Sequence, residues 1–249
     1  MMSRLVWISA GVGAHLLLAA TVCFLFPFLM DGRGAADAPV APWWWGIDAL
    51  LALQFGLSHS LLLLPQARGR LERLIPRPLY GCVFTAMTCL SLLLLILAWR
   101  PSGMIVYRLE GWADTTMRAA YCLSWIGLLY TLGLTGYGWQ TGWTPFWAWL
   151  RGRPAPPRRF SVRGAYHWLR HPVYLVFLSQ VWLTPVMTQD RLLLCSVFTV
   201  YIMMGSYLKD RRLVFYLGDT YRDYQASVPG YPLMIGPLGR VPHPRATSG

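Results

Sequence analysis

The sequence predicts an all-α integral membrane protein of about six transmembrane helices, including a short C-terminal helical hairpin, plus interfacial helices. Three observations carry this expectation. Of the 249 residues 55% are apolar, and the mean hydropathy of +0.41 lies above that of ordinary soluble domains. Several apolar runs have the length of a bilayer crossing. Trp43, Trp44, Trp45, Trp99, Trp112 and most of the basic residues sit beside those runs, where amphipathic rings and cations favour the headgroup layer.

The first run, Leu5 to Met30, follows Arg4 and precedes Asp31-Gly32-Arg33-Gly34. No small-residue cleavage site follows a short apolar core, so a retained first helix is expected. Ala35 to Pro42 is a short connection into the tryptophan belt and a second span that ends near Leu64, where Pro65 stops it. Gln66 to Pro78, with Arg68, Arg70, Arg73 and Arg77 against Glu72, reads as a headgroup-level loop. Leu79 to Trp99 is the third span, broken by Arg100-Pro101-Ser102-Gly103. Residues up to Arg118 read as an interfacial excursion, and Ala119 to Tyr137 as the fourth span.

Thr144 to Leu150 reads as a short helix lying in the interface. The loop Arg151 to Arg159, with Pro154, Pro156 and Pro157, cannot be regular helix. It leads into Gly164-Ala165-Tyr166-His167-Trp168-Leu169-Arg170-His171-Pro172-Val173-Tyr174, the stretch on which cations, an imidazole and phenols meet an apolar run. Proline is well tolerated in a first helical turn, so Arg170 and His171 should form the mouth of a helix beginning at Pro172. Pro172 to Met187 and Leu192 to Leu208 make the hairpin, followed by a helix over Lys209 to Leu217 closed by Gly218. The expected organisation is one membrane domain over 1–249: a four-helix part over 1–150, a C-terminal core over 151–235 and a flexible tail over 236–249.

The 22 basic residues outnumber 10 acidic ones. Their flanking positions mark topology rather than a nucleic-acid face, so membrane lipid is an expected partner and nucleic acid is not. Seventeen lie in the N-terminus, the 66–78 loop, the 151–170 segment and the C-terminal tail, against five in the opposite loops. The positive-inside rule then places both termini in the cytoplasm, on the same side as the 164–174 stretch. Cys23, Cys82, Cys89, Cys122 and Cys195 fall in apolar runs without a disulfide or zinc framework. His15, His59 and His171 lack the spacing of a metal or haem site, so no metal is expected. Few polar residues besides His59, Gln54 and Gln180 interrupt the spans, which argues against a transporter.

Arg170-His171-Pro172-Val173-Tyr174, the hairpin, Leu213, Gly218, Tyr221, Tyr224 and Val228-Pro229 resemble the C-terminal core of the isoprenylcysteine carboxyl methyltransferase-like membrane enzymes. That core runs R-H-P-x-Y, hairpin, E-E-x-x-L, G-x-x-Y-x-x-Y and V-P. Phe55-Gly56-Leu57-Ser58-His59-Ser60 and Trp99-Arg100-Pro101 resemble more closely the NnrU and methanethiol S-methyltransferase branch. The resemblance implies a bacterial inner-membrane methyltransferase that uses S-adenosylmethionine on a small or lipophilic acceptor, in this branch a thiol. It implies cofactor-binding roles for Tyr166, Arg170, His171, Pro172, Tyr174, Asp210, Tyr221 and Tyr224, with Arg170 and His171 catalytic. Arg170 would fork onto the methionyl carboxylate, Tyr166 and Tyr174 would face the sulfonium, and His171 would hydrogen-bond or take a proton. Read without the resemblance, Arg170 has the alternative reading of a topology anchor and the tyrosines that of interface aromatics.

Two departures stand out. The family's glutamate pair falls on Lys209 and Asp210, and Val176 stands where relatives often carry glycine. They motivate the alternative of a catalytically silent membrane subunit or assembly factor with protein partners.

Overall fold

A computed structural model describes residues 4–32, 43–157 and 160–242. The expected connection over 35–42, Arg33, Gly34, Arg158, Arg159 and the last seven residues lie outside these. In chain order the helices are α1 (Arg4–Asp31), α2 (Trp44–Leu62), α3 (Pro65–Leu71), α4 (Tyr80–Ala98), α5 (Gly111–Thr135), α6 (Tyr137–Gln140) and α7 (Trp143–Leu150), then α8 (Pro172–Trp182), α9 (Gln189–Leu217) and α10 (Asp219–Ser227). Two short strands, β1 (Ile105–Arg108) and β2 (Val186–Thr188), pair antiparallel with Tyr107 opposite Met187. The chain is therefore an α-helical membrane protein, with a β-ribbon among the described residues that neither run's periodicity betrays.

Six helices close a ring. α1 packs on α4, α4 on α2, α2 on α9, α9 on α8 and α8 on α5. Tyr121 of α5 completes it by donating its hydroxyl to the Phe26 carbonyl of α1 at 2.7 Å. Phe28, Leu51, Leu95, Tyr121 and Leu194, one or more from each of five helices, fill the centre.

The expected count of six spans changes in this ring. Among the described residues three helices are long and apolar enough to cross a membrane: α1, α4 with its leading 3-10 turn, and α9. α2 and α3, bent by 73° at Pro65, qualify together as a fourth. Pro65 thus turns the chain and then opens α3 at its first position, where a missing N–H costs nothing. α5 has 25 residues, but Asp114 and Arg118 occupy its first turns. α8 has only 11 residues, about 16 Å, roughly half the hydrocarbon thickness. It stops because Leu183 to Pro185 leave helical geometry and the chain then joins the ribbon, Leu109 N–H donating to the Pro185 carbonyl at 2.8 Å. The hairpin is accordingly a half-length helix against a 29-residue one, and the separate helix expected over 209–217 is the continuation of α9.

At the ribbon end, Asp190 at the start of α9 accepts from Trp99 Nε1 at 3.1 Å, and from the Ser102 N–H and hydroxyl at 2.9 and 2.7 Å. The break after α4 is thus locked to α9. At the other end the short helix α7 does more than lie in the interface. Phe146 is fully buried between α1 and α4, so near Gly11 that a Cβ there would stand 2.4 Å from its ring.

α7 is seated by two glycines. Gly142, with φ of +78°, meets Gly81 of α4 backbone to backbone, and a Cβ on Gly142 would lie 2.3 Å from the Gly81 carbonyl carbon. Gly142→Ala therefore combines left-handed strain with an overlap that only backbone movement relieves. Its cost should be about 2 kcal/mol or more, read as a lowered melting temperature in detergent, whereas Gly13→Ala, which meets nothing within 4 Å, should melt like the parent.

Candidate functional site

The site gathers at the end of the bundle where α8 begins and α9 ends. Pro172 occupies the first position of α8 and His171 its N-cap, as the proline predicts. The residues before them are held by a two-bond bridge to the segment after α10: Arg170 N–H donates to the Pro229 carbonyl at 2.9 Å and His171 N–H to the Gly230 carbonyl at 3.3 Å. Backbone pairing thus delivers both side chains, each about 1% exposed, into the interior.

There Arg170 meets Asp210. Arg170 Nε and Nη2 donate to Asp210 Oδ2 at 3.1 and 2.9 Å. Its remaining donors go to main-chain carbonyls: Nη1 to Val228 at 2.6 Å, Gly239 at 2.8 Å and Gln225 at 3.3 Å, and Nη2 to Pro237 at 3.0 Å. One guanidinium therefore ties α9 to four points between residues 225 and 239. This bears on the carboxylate-binding role expected of Arg170. Every N–H direction of its fork is spent within the chain, and a methionyl carboxylate would have to displace Asp210 or a carbonyl. Pro237 and Gly239, in the stretch expected to be a flexible tail, are part of the clamp.

Asp210 Oδ1 accepts from Tyr221 Oη at 2.5 Å. His171 Nε2 stands 3.1 Å from the same oxygen, a contact poorly aligned for hydrogen bonding, and Nδ1 has no hydrogen-bond partner among the described residues. Burial holds the His171 imidazole below its usual pKa, and neighbouring Lys209 and Arg170 push the same way, against the Asp210 carboxylate. The ring lies between aromatics, stacked on Tyr174 at 5.6 Å and tilted to Tyr231 at 5.5 Å. Burial beside Asp210 drives the Tyr221 phenol strongly upward, so it stays a proton donor.

The other expected residues separate into two groups. Tyr174 is at the site, but Lys209 Nζ lies 5.0 Å from its ring centre, so the chain supplies its own cation where a sulfonium was expected. Tyr224 donates to the Tyr166 carbonyl at 2.6 Å and, with Tyr221, packs edge-on against Phe160. Tyr166 and Tyr224 thereby brace the 164–167 turn on α10. Val176 faces away, its methyl 3.6 Å from where a Gly127 Cβ would stand, and it serves the α5–α8 contact.

Four features escaped the sequence reading: Tyr231, whose hydroxyl bonds Ser206 of α9, the carbonyls that receive Arg170, the Lys209–Tyr174 contact, and a groove. The groove encloses about 890 Å³ between α9, α10 and residues 236–242. Asp210 and Gln225 form its floor, Tyr207 and Phe215 give aromatic surface, and Arg211, Arg222 and Arg240 supply three guanidiniums. Its size suits a cofactor-sized ligand. Only Gly230-Tyr231 directly after Val228-Pro229 offered a signal for any of this, since the rest depends on residues far apart in sequence.

No protein-family model matches the chain, and no solved structure matches it. Curated relatives do. It is 32% identical to the methanethiol S-methyltransferase of Pseudomonas sp. (strain GM41(2012)), over 73% of this chain and 70% of the relative. It is 26% identical to that of Mycobacterium tuberculosis (strain ATCC 25618 / H37Rv), over 91% and 96%. Rat Nurim (Rattus norvegicus) is 28% identical over 72% and 71%. Similarity of this extent, spanning the helix ring and the Arg170 to Tyr224 site, establishes that the chain belongs to the membrane methyltransferase family of the methanethiol S-methyltransferases.

Proposed function

We propose that the chain transfers the methyl group of S-adenosylmethionine to a small thiol, methanethiol being the thiol named for its relatives. The observation that carries this reading is a cofactor-sized groove lined by Asp210, whose Oδ1 stands 3.1 Å from Nε2 of the buried His171 imidazole. The groove fits the donor. Its guanidiniums match the methionyl carboxylate, Tyr207 and Phe215 suit an adenine ring, and Gln225 adds polar capacity. Asp210 puts a carboxylate near the ammonium, although Arg170 already shares that charge. Bound S-adenosylmethionine supplies an electrophilic methyl on a sulfonium.

The chain's own contribution is to align, desolvate and deprotonate. Asp210 beside Nε2 favours the tautomer with hydrogen on Nε2, which would leave the Nδ1 lone pair to hold the proton that an acceptor thiol gives up. Surrounding guanidiniums favour the thiolate, the reactive form of the acceptor. Arg170 acts as a positioning residue that holds Asp210 and the 225–239 segment in place. The excess of basic residues at this end supports its facing the cytoplasm with both termini, where a water-soluble donor is available.

Purified protein in detergent should bind S-adenosylhomocysteine saturably in titration calorimetry, and Arg211→Ala with Arg240→Ala should weaken binding about tenfold, roughly 1.4 kcal/mol. No binding at millimolar ligand would sink the cofactor assignment. A second expectation concerns pH. Because burial lowers the folded pKa of His171 below its free value of 6.5, the unfolded chain binds the proton more readily. The contribution of a neutral His171 is complete above about pH 6.5 and is lost as pH falls below it. The melting temperature of the parent should drop more between pH 7.5 and 5 than that of His171→Gln. Equal drops would show that His171 is not the buried, uncharged group described.

A further inference from the structure

We infer that residues 232–235 form an apolar finger that inserts into the lipid boundary at the site end of the bundle. Leu233 and Ile235 are 103% and 91% exposed, more than the lipid-facing Leu16 of α1 at 67%. Two bulky aliphatic side chains held in water forgo the gain of burial, and Leu233 adopts a φ of +59°, a left-handed conformation unfavourable for leucine. A loose loop would relax both. This one is pinned.

The loop closes on itself through Tyr231 N–H to the Leu238 carbonyl at 3.1 Å and Gly239 N–H to the Gly236 carbonyl at 2.9 Å. Its glycines permit the closure: a Cβ on Gly230 would stand 2.5 Å from the Leu238 oxygen, and one on Gly239 2.4 Å from the Met234 oxygen. Arg170 holds the far limb by the Pro237 and Gly239 carbonyls.

Depth identifies the occupant. The Tyr231 hydroxyl bonds Ser206, one turn before Lys209 ends the apolar part of α9. On that stretch Met204 and Leu208, 59% and 56% exposed, face outward as lipid-contacting side chains do. The base of the finger is therefore level with the edge of the hydrocarbon, and Lys209, Arg211 and Arg212 follow at headgroup level, as expected of residues facing an anionic leaflet. An apolar tip with a basic collar matches a lipid surface and not an aqueous partner. The finger then anchors in the bilayer the same segment whose carbonyls receive Arg170.

The test is depth measured by nitroxide accessibility. Leu233→Cys, in full-length protein carrying Cys23→Ser and Cys122→Ser, is spin-labelled and reconstituted into vesicles of phosphatidylcholine and phosphatidylglycerol. Met204→Cys serves as the lipid control and Asp223→Cys, on the polar helix α10, as the aqueous one. The ratio of collisions with oxygen to collisions with a water-soluble nickel chelate should shift to that of the lipid control. A ratio equal to the aqueous control overturns the inference. So does a label closed to both quenchers, which would mean cover by the chain itself, or spin–spin broadening that grows with protein-to-lipid ratio, which would mean a second copy. Ile235→Cys gives the same reading independently should Leu233→Cys not fold.

Discussion

The Arg170–Asp210 pair is the contact on which the site depends. A buried carboxylate is tolerable only when its lone pairs are answered, and a buried guanidinium only when its N–H groups are. Asp210 satisfies Arg170 on one side, and carbonyls of residues 225, 228, 237 and 239 complete the guanidinium on the others. Tyr221 donates to the second oxygen of Asp210, and His171 Nε2 stands 3.1 Å from it. Every segment that builds the site is thus fixed by reference to one ion pair: the mouth of α8, the end of α9, α10 and the chain beyond it. Removing either partner of such a pair alone costs about 3–5 kcal/mol, because the other is left charged and dry.

This arrangement gives the two departures from the family pattern a physical reading. Asp210 is shorter than glutamate by one methylene, yet it lies close enough to Arg170, Tyr221 and His171 for all three contacts. Lys209 does not oppose Asp210 across the site but reaches over the Tyr174 ring. Val176 lies against Gly127 and leaves the groove untouched. The alternative of a silent subunit rested on these substitutions, and none of them disrupts the cluster.

Much of the fold was legible because the bilayer imposes lengths and edges that residues record directly. Leu5 to Met30 and Leu79 to Trp99 match α1 and α4 to within a residue or two, and Pro172 marks the start of α8. The ribbon was not legible, since four and three residues carry no usable period and pair across about eighty positions. For the site, the residue set was readable and the roles were not. Arg170, His171, Tyr174, Asp210 and Tyr221 do meet, but nothing local shows that Arg170 spends its donors on carbonyls up to 69 positions away. A motif records which side chains are required; what each one touches is set by tertiary closure.

The central claim is that Arg170 organises the site through Asp210 and the strap of carbonyls. A double-mutant cycle on thermal stability in detergent, with Arg170→Lys, Asp210→Asn and the pair, tests it most directly. Lysine keeps the charge but cannot reproduce the planar fork. Each single variant should be strongly destabilised, and the double variant should lose much less than the sum of the two. Singles that melt like the parent while losing S-adenosylhomocysteine binding, or losses that simply add, would contradict the account.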